Sequence, residues 1–163
     1  MDETKEKMLE IEDKRKRRNN VIIYNVVENQ KTTSKERMSG DKDFCEKLMN
    51  EVLKVGLDLE EGDIQKVIRL GKRTEDDKNR PILVEFSSGQ VKNLIMENAG
   101  KLGNAIDEFK GVTISHDMTK AEREQCREMV EEAKLKQSNE TGNWVHKVRG
   151  LPGLMKVVSF QKY

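Results

Sequence analysis

Arginine and lysine are the residues of this sequence whose grouping could do chemistry. Lys14, Arg15, Lys16, Arg17 and Arg18 run directly into the apolar stretch NNVIIYNV. Lys72, Arg73, Lys78 and Arg80 crowd the segment ahead of PILVEF, and Asn143 to Tyr163 carries Lys147, Arg149, Lys156 and Lys162 without one acid. Guanidinium and ammonium groups clustered this way suit phosphate oxygens, the first as a planar fork and the second as a point charge. The formal net charge is only +1, but a phosphate chain meets a local surface, so the distribution matters more than the sum. That distribution is uneven: Asp2, Glu3, Glu6, Glu10, Glu12 and Asp13 precede the first basic run. The run itself also fits a solvated helix end or a nuclear-import signal.

Other chemistries lack an inventory. There is no phosphate loop, and no histidine stands near a nucleophile at a useful spacing. His116 and Asp117 form an HD pair, yet the other histidine, His146, lies in a different element. Glu85 and Asp117 are too few carboxylates for a two-metal nuclease. We therefore expect no enzyme, no catalytic residue, no metal, no cofactor and no small-molecule substrate. Cys45 and Cys126 sit in helical patterns and read as reduced thiols used as small hydrophobes. No apolar run approaches the ~20 residues of a membrane-spanning helix, and the charged N-terminus lacks a signal-peptide core. The expectation is a soluble intracellular protein with no membrane partner.

The elements that must position these cations follow from pattern. With 163 residues, 34% hydrophobic and 37% charged, the chain supports one domain or two small ones. Residues 2 to 18 favour a helix, with Met8 and Ile11 as the only seam candidates of a coiled coil, too few to hold chains together. Val21 to Val27 reads as a first strand and residues up to Gly40 as a polar loop. Asp41 then caps a helix with Phe44, Cys45, Leu48, Met49, Val52 and Leu53 on one face, ended by Gly56. Ile64 to Leu70 and Ile82 to Phe86 are strands, Ser88 caps a helix with Val91, Leu94, Ile95 and Leu102 inward, and Gly111 to Ser115 is a fourth strand. Thr119 and Glu122 form a capping box for a helix through Gln137, and WVHKV and MKVVSF flank a turn at Gly150-Leu151-Pro152-Gly153.

The order β-α-β-β-α-β implies an α+β fold of the ferredoxin-like, RNA-recognition-like kind, followed by a small helix-plus-hairpin domain. The expected organisation is residues 1–18 as the end of a coiled-coil helix, 19–116 as the RNA-recognition-like domain and 117–163 as the C-terminal domain. RNA-recognition domains stack bases on aromatics of their central strands. Here Ile22, Pro81 and Leu83 fill those places, so the work shifts to cations. Trp144 reads either as an anchor of the small domain or, with His146, as a stacking platform; Tyr24 reads as a packing residue.

RRNNVIIYNVVE, KVIRLGKR, RPILVEFSS, ISHDMTKAEREQCREM and VRGLPGLMKVV, in this order, resemble the first-open-reading-frame protein of LINE-type retrotransposons, as found in invertebrate genomes. The resemblance spans residues 17 to 158. It implies a coiled coil that trimerises the chain, an RNA-recognition-like domain and a C-terminal domain closing over bound RNA, in a nucleic-acid chaperone packaged with its own transcript. It assigns contact with nucleic acid to Arg69, Lys72, Arg73, Arg80, Arg127 and Lys101; the residues themselves add Arg17, Arg18, Trp144, Lys147 and Arg149. The expected partner is single-stranded RNA, with DNA as the alternative strand, in a cytoplasmic or nuclear ribonucleoprotein. Self-association is expected through heptads upstream, and this stretch alone is expected to be monomeric. The rival reading is a structural assembly module in which the cations only solubilise.

Overall fold

The computed structural model describes residues 2–54, 59–60, 62–76 and 79–163; Gly56 and Lys78 lie outside them. The chain divides into two compact units, one made of Lys16–Asp117 and the other of Met1–Arg15 with Met118–Tyr163. The protein is α+β. Its elements in chain order are α1 (Glu3–Arg17), β1 (Asn20–Tyr24), α2 (Ser34–Lys47) running into a wide turn at Leu48–Val52, β2 (Ile64–Arg69), β3 (Ile82–Phe86), α3 (Gly89–Asn98), β4 (Thr113–His116), α4 (Lys120–Ser138), β5 (Trp144–Arg149) and β6 (Lys156–Gln161). Among the described residues no helix is long and apolar enough to cross a membrane.

In the first unit four strands form one sheet, ordered β2-β3-β1-β4 with antiparallel neighbours. Register sorts the side chains by face, because directly opposed residues share one. Val67, Val84 and Val21 form one row, and Ile82, Ile23 and Ile114 the next. With Phe86 they meet Cys45, Leu48, Met49 and Leu53 of the α2 segment and Ile95 of α3 in a single buried cluster. The alternate residues Ile68, Leu83, Ile22 and Ser115 face the other way and are only half-buried.

The helix before β2 departs from its sequence reading. It starts at Ser34, with Thr33 as N-cap accepting from the Glu36 amide at 3.2 Å. Asp41 lies mid-helix and buried. Gly40 lies inside this helix with the Asn29 side-chain amide packed against it, Nδ2 falling 2.1 Å from where a Cβ would stand, so a larger residue here would make the Asn29 side chain shift. Ser88 caps α3 as expected, accepting from the Val91 amide.

In the second unit Thr119 and Glu122 form the full reciprocal capping box of α4, and Thr119 Oγ1 also donates to Glu10 Oε1 of α1 at 2.6 Å. Gln137 near the end of α4 accepts from the His146 amide and donates to the Trp144 carbonyl, tying the helix to β5. The β5–β6 turn closes with Leu154 donating to the Leu151 carbonyl at 2.9 Å around Pro152 and Gly153, whose φ of 80° is the left-handed value a type II turn needs.

Arg69 and Asp41 hold the first unit's end together, their side chains 7% and 9% exposed. Removing one member of a buried pair strands the other charge, typically at 3–5 kcal/mol. Asp41→Ala is therefore expected to lower unfolding stability by about 3–5 kcal/mol, read from urea denaturation followed by circular dichroism.

Candidate nucleic-acid interface

Every N–H donor of the Arg69 guanidinium is taken. Nε and Nη2 reach the two oxygens of Asp41 at 3.0 and 2.8 Å; Nη1 reaches the carbonyls of Val26 and Arg80 at 2.8 and 2.7 Å; Nη2 also reaches the Val27 carbonyl at 3.0 Å. A guanidinium has five donors, so none is left for a phosphate. This fork joins the exit of β1, the middle of α2 and the start of β3. Its role is to fix the loop between β2 and β3.

Arg80 occupies that loop's far end. Its Nε–H goes to Glu28 Oε1 and Nη1 donates to the Gly71 carbonyl at 2.9 Å, with the side chain 20% exposed. Burial pushes the Glu28 carboxyl up, but the hydrogen bond and charge of Arg80, with Arg69 behind it, outweigh burial and hold it below its ordinary value. Lys72 and Arg73 sit between these anchors, exposed and without an ion pair among the described residues. Arg69, Arg73 and Arg80 line one pocket of about 280 Å³ together with Arg37 and Ser34 of α2. Three of the expected site residues are thus brought together with two that sequence reasoning missed. The missed ones belong to a segment read as loop; Thr33-x-x-Glu36, a capping-box pattern, was the available signal.

The remaining expected residues have varied surroundings. Lys101 donates to the carbonyls of Leu53 and Lys54 at 2.7 and 3.2 Å, closing the end of the α2 segment where Lys54 turns left-handed with φ 45°. Arg17 pairs with buried Asp117 at 2.8 Å, and Asn20 Nδ2 donates to the same carboxylate at 3.0 Å. Arg18 is exposed. The HD pair is thereby accounted for: Asp117 holds Arg17 and Asn20, while His116 Nδ1 meets the Nζ of buried Lys92 at 2.6 Å. No cluster of three or more His, Cys, Asp or Glu able to hold a metal occurs among the described residues. Cys45 is buried, and that burial, with Asp41 nearby, pushes its thiol up to about 12, which leaves it unreactive.

In the second unit Arg127 is exposed on α4. The β5–β6 register runs without interruption from Trp144 opposite Gln161 to Arg149 opposite Lys156. Alternation then puts Lys147, Arg149, Lys156 and Phe160 on one face and Trp144 with His146 on the other. Lys147 Nζ lies 5.8 Å from the Phe160 ring centroid, a cation–π arrangement. Trp144 and Phe160 are both about half exposed, at 44% and 43%. The aromatic that accompanies the hairpin cations is therefore Phe160; period-two counting from Lys147 to Trp144 carries that signal. His146 is held by Glu140 and Ser159 at 2.8 and 2.6 Å and acts as a hairpin brace.

No family model matches the chain, and no curated protein matches it.

His116 gives this region a pH signature. Burial, then the neighbouring Lys92 charge, lowers its value from 6.5 to about 4. The unfolded chain takes up this proton below 6.5 and the folded chain only near 4, so the contribution is complete above 6.5 and is lost as pH falls toward 4. Allowing for the partial exposure of the imidazole, stability is expected to drop by about 1 kcal/mol between pH 7 and pH 5 through this group. Urea titrations of the parent and His116→Gln at both pH values check it, the variant losing less on acidification.

Proposed function

We propose that the protein binds single-stranded nucleic acid, RNA above all, through its phosphates and with little reading of bases. The observation that carries this reading is the braced loop: Arg69 and Arg80 fix its two ends, and Lys72 and Arg73 lie between them, exposed and without an ion pair among the described residues. Exposed cations without an ion-pair partner give up no existing bond on meeting a phosphate, and the contact releases its counterions. The hairpin supports the reading separately. Arg149 stands directly opposite Lys156 with Lys147 on the same face, a like-charge arrangement that disfavours the isolated hairpin and that a phosphate chain would relieve. Phe160 offers a sequence-tolerant stacking surface beside them.

The sheet order β2-β3-β1-β4 supports a ferredoxin-like, RNA-recognition-like reading of Lys16–Asp117. Its exposed-side residues Ile22 and Leu83 are aliphatic, which supports cation-led binding over base stacking on the sheet. With the resemblance to first-open-reading-frame proteins of LINE-type elements, this gives a nucleic-acid chaperone of a retrotransposon ribonucleoprotein, without an enzymatic activity of its own. Assembly is the second reading, favoured by Met8, Leu9 and Ile11, which are all more than half exposed on α1. On a helix they make an apolar stripe for another helix.

The test is a salt series. If Lys72, Arg73, Arg127, Lys147 and Arg149 each neutralise one phosphate, log affinity for single strands should fall against log salt with a slope of about −3.5, at ~0.7 per contact. Arg73→Ala or Arg149→Ala should weaken two unrelated oligoribonucleotides alike and flatten the slope by about 0.7. Fluorescence anisotropy reads both; a salt-independent affinity would leave assembly as the function.

A further inference from the structure

The pocket beside the braced loop has an electrostatic surplus that the loop alone does not explain. Its wall carries four arginines, Arg37, Arg69, Arg73 and Arg80, and two acids, Glu28 and Asp41. Asp41 is matched by Arg69 and Glu28 by Arg80. Two positive charges are left, on Arg37 and Arg73. Donors are left as well. Arg37 uses Nη1 on the carbonyls of Lys31 and Thr32, both at 2.9 Å, which orients the guanidinium and leaves Nε and Nη2 uncommitted in the described structure. Arg80 keeps Nη2. Ser34 is the first residue of the 14-residue helix α2, so its amide is one of the terminal donors that a helix leaves unpaired, at the positive end of the dipole. The volume, about 280 Å³, lies just under the usual range for drug-sized ligands and suits a phosphate with its sugar.

We propose that this pocket, walled by Ser34, Arg37, Arg73 and Arg80, takes one phosphate monoester. Its doubly negative group matches the two unbalanced charges, whereas an internal phosphodiester supplies only one. The site goes beyond the braced-loop reading in adding Ser34 and Arg37 and in selecting the end of a strand over its interior. As a strand-end site it rests on the nucleic-acid reading; as a site for a free small phosphate it does not.

The full chain, labelled with ¹⁵N, is titrated with inorganic phosphate and with adenosine 5′-monophosphate, and in parallel with a short oligouridylate bearing either a 5′-phosphate or a 5′-hydroxyl. The expected result is movement of the Ser34 and Lys35 amides and of the Arg37 and Arg73 Nε signals with each small phosphate, and about tenfold tighter binding of the phosphorylated strand. Ser34→Glu should abolish both effects; an acid at the first helical position favours the helix, so the variant folds while its charge repels the ligand. Arg37→Ala should reduce both. Movement with the small phosphates but equal affinity for the two strands supports the pocket and assigns it to a free phosphate. No movement together with equal strand affinities overturns it. Binding of the hydroxyl strand reports separately on the wider nucleic-acid reading, since that strand carries no monoester.

Discussion

Arg69 sits where three chain segments converge, and its guanidinium satisfies all of them at once. The carbonyls of Val26 and Val27 leave β1, the carbonyl of Arg80 enters β3, and Asp41 projects from the middle of α2. Backbone carbonyls at a sheet end need partners when water is excluded, and a buried carboxylate needs a counter-charge. One planar fork meets both needs. A lysine could neutralise Asp41, but its three donors could not serve three carbonyls and two carboxylate oxygens. The geometry of α2 against the sheet, and hence the pocket and the β2–β3 loop, depends on this contact.

The same contrast separates two kinds of cation that look alike in the sequence. Arg69 and Lys101 direct their charge inward to carbonyls, while Arg80 divides its donors between Glu28 and Gly71 and keeps some outward. Moving a fully bonded buried guanidinium onto a phosphate would break charge-assisted hydrogen bonds of roughly 1.5–3 kcal/mol each. A contact with an exposed phosphate in high dielectric returns less than that. Bracing therefore wins at Arg69; in the proposed interface, phosphate contact falls instead to the exposed Lys72 and Arg73.

The strand and helix order was legible in the sequence because each signal was local: Ser88 before α3, Thr119 with Glu122 before α4, and β-branched runs for the strands. The start of α2 was legible too, in Thr33 and Glu36, but Gly40 and the sparse apolar residues from Lys35 to Lys42 masked it. Asp41 then read as a cap because capping is an acid's common local role near a helix start, whereas its partner lies 28 positions away. Burial of Lys92 against His116 was hidden for the same reason: a lysine's apolar stem fits a helical pattern, and only the fold supplies the imidazole. The basic clusters were visible as composition; which cations remain outward was not, since that depends on long-range pairing.

The hairpin extends the distinction between bracing and outward charge. Gly150 has φ 120°, and a Cβ there would lie 2.9 Å from the Leu154 carbonyl, so the turn is held to one tight path. A tight turn fixes register, and register sets Arg149 across from Lys156 without an acid between them. A looser connection would let the two charges drift apart by slipping or fraying. Holding them together therefore opposes hairpin stability by a few tenths of a kcal/mol up to about 1 kcal/mol, a penalty offset by Gln137 and the Glu140–His146–Ser159 chain at the other end. In both units, then, hydrogen bonds donated or accepted by buried and half-buried polar groups hold a small set of cations in positions that their mutual repulsion disfavours. Under the proposed function, an anion shared among such outward charges would relieve that repulsion.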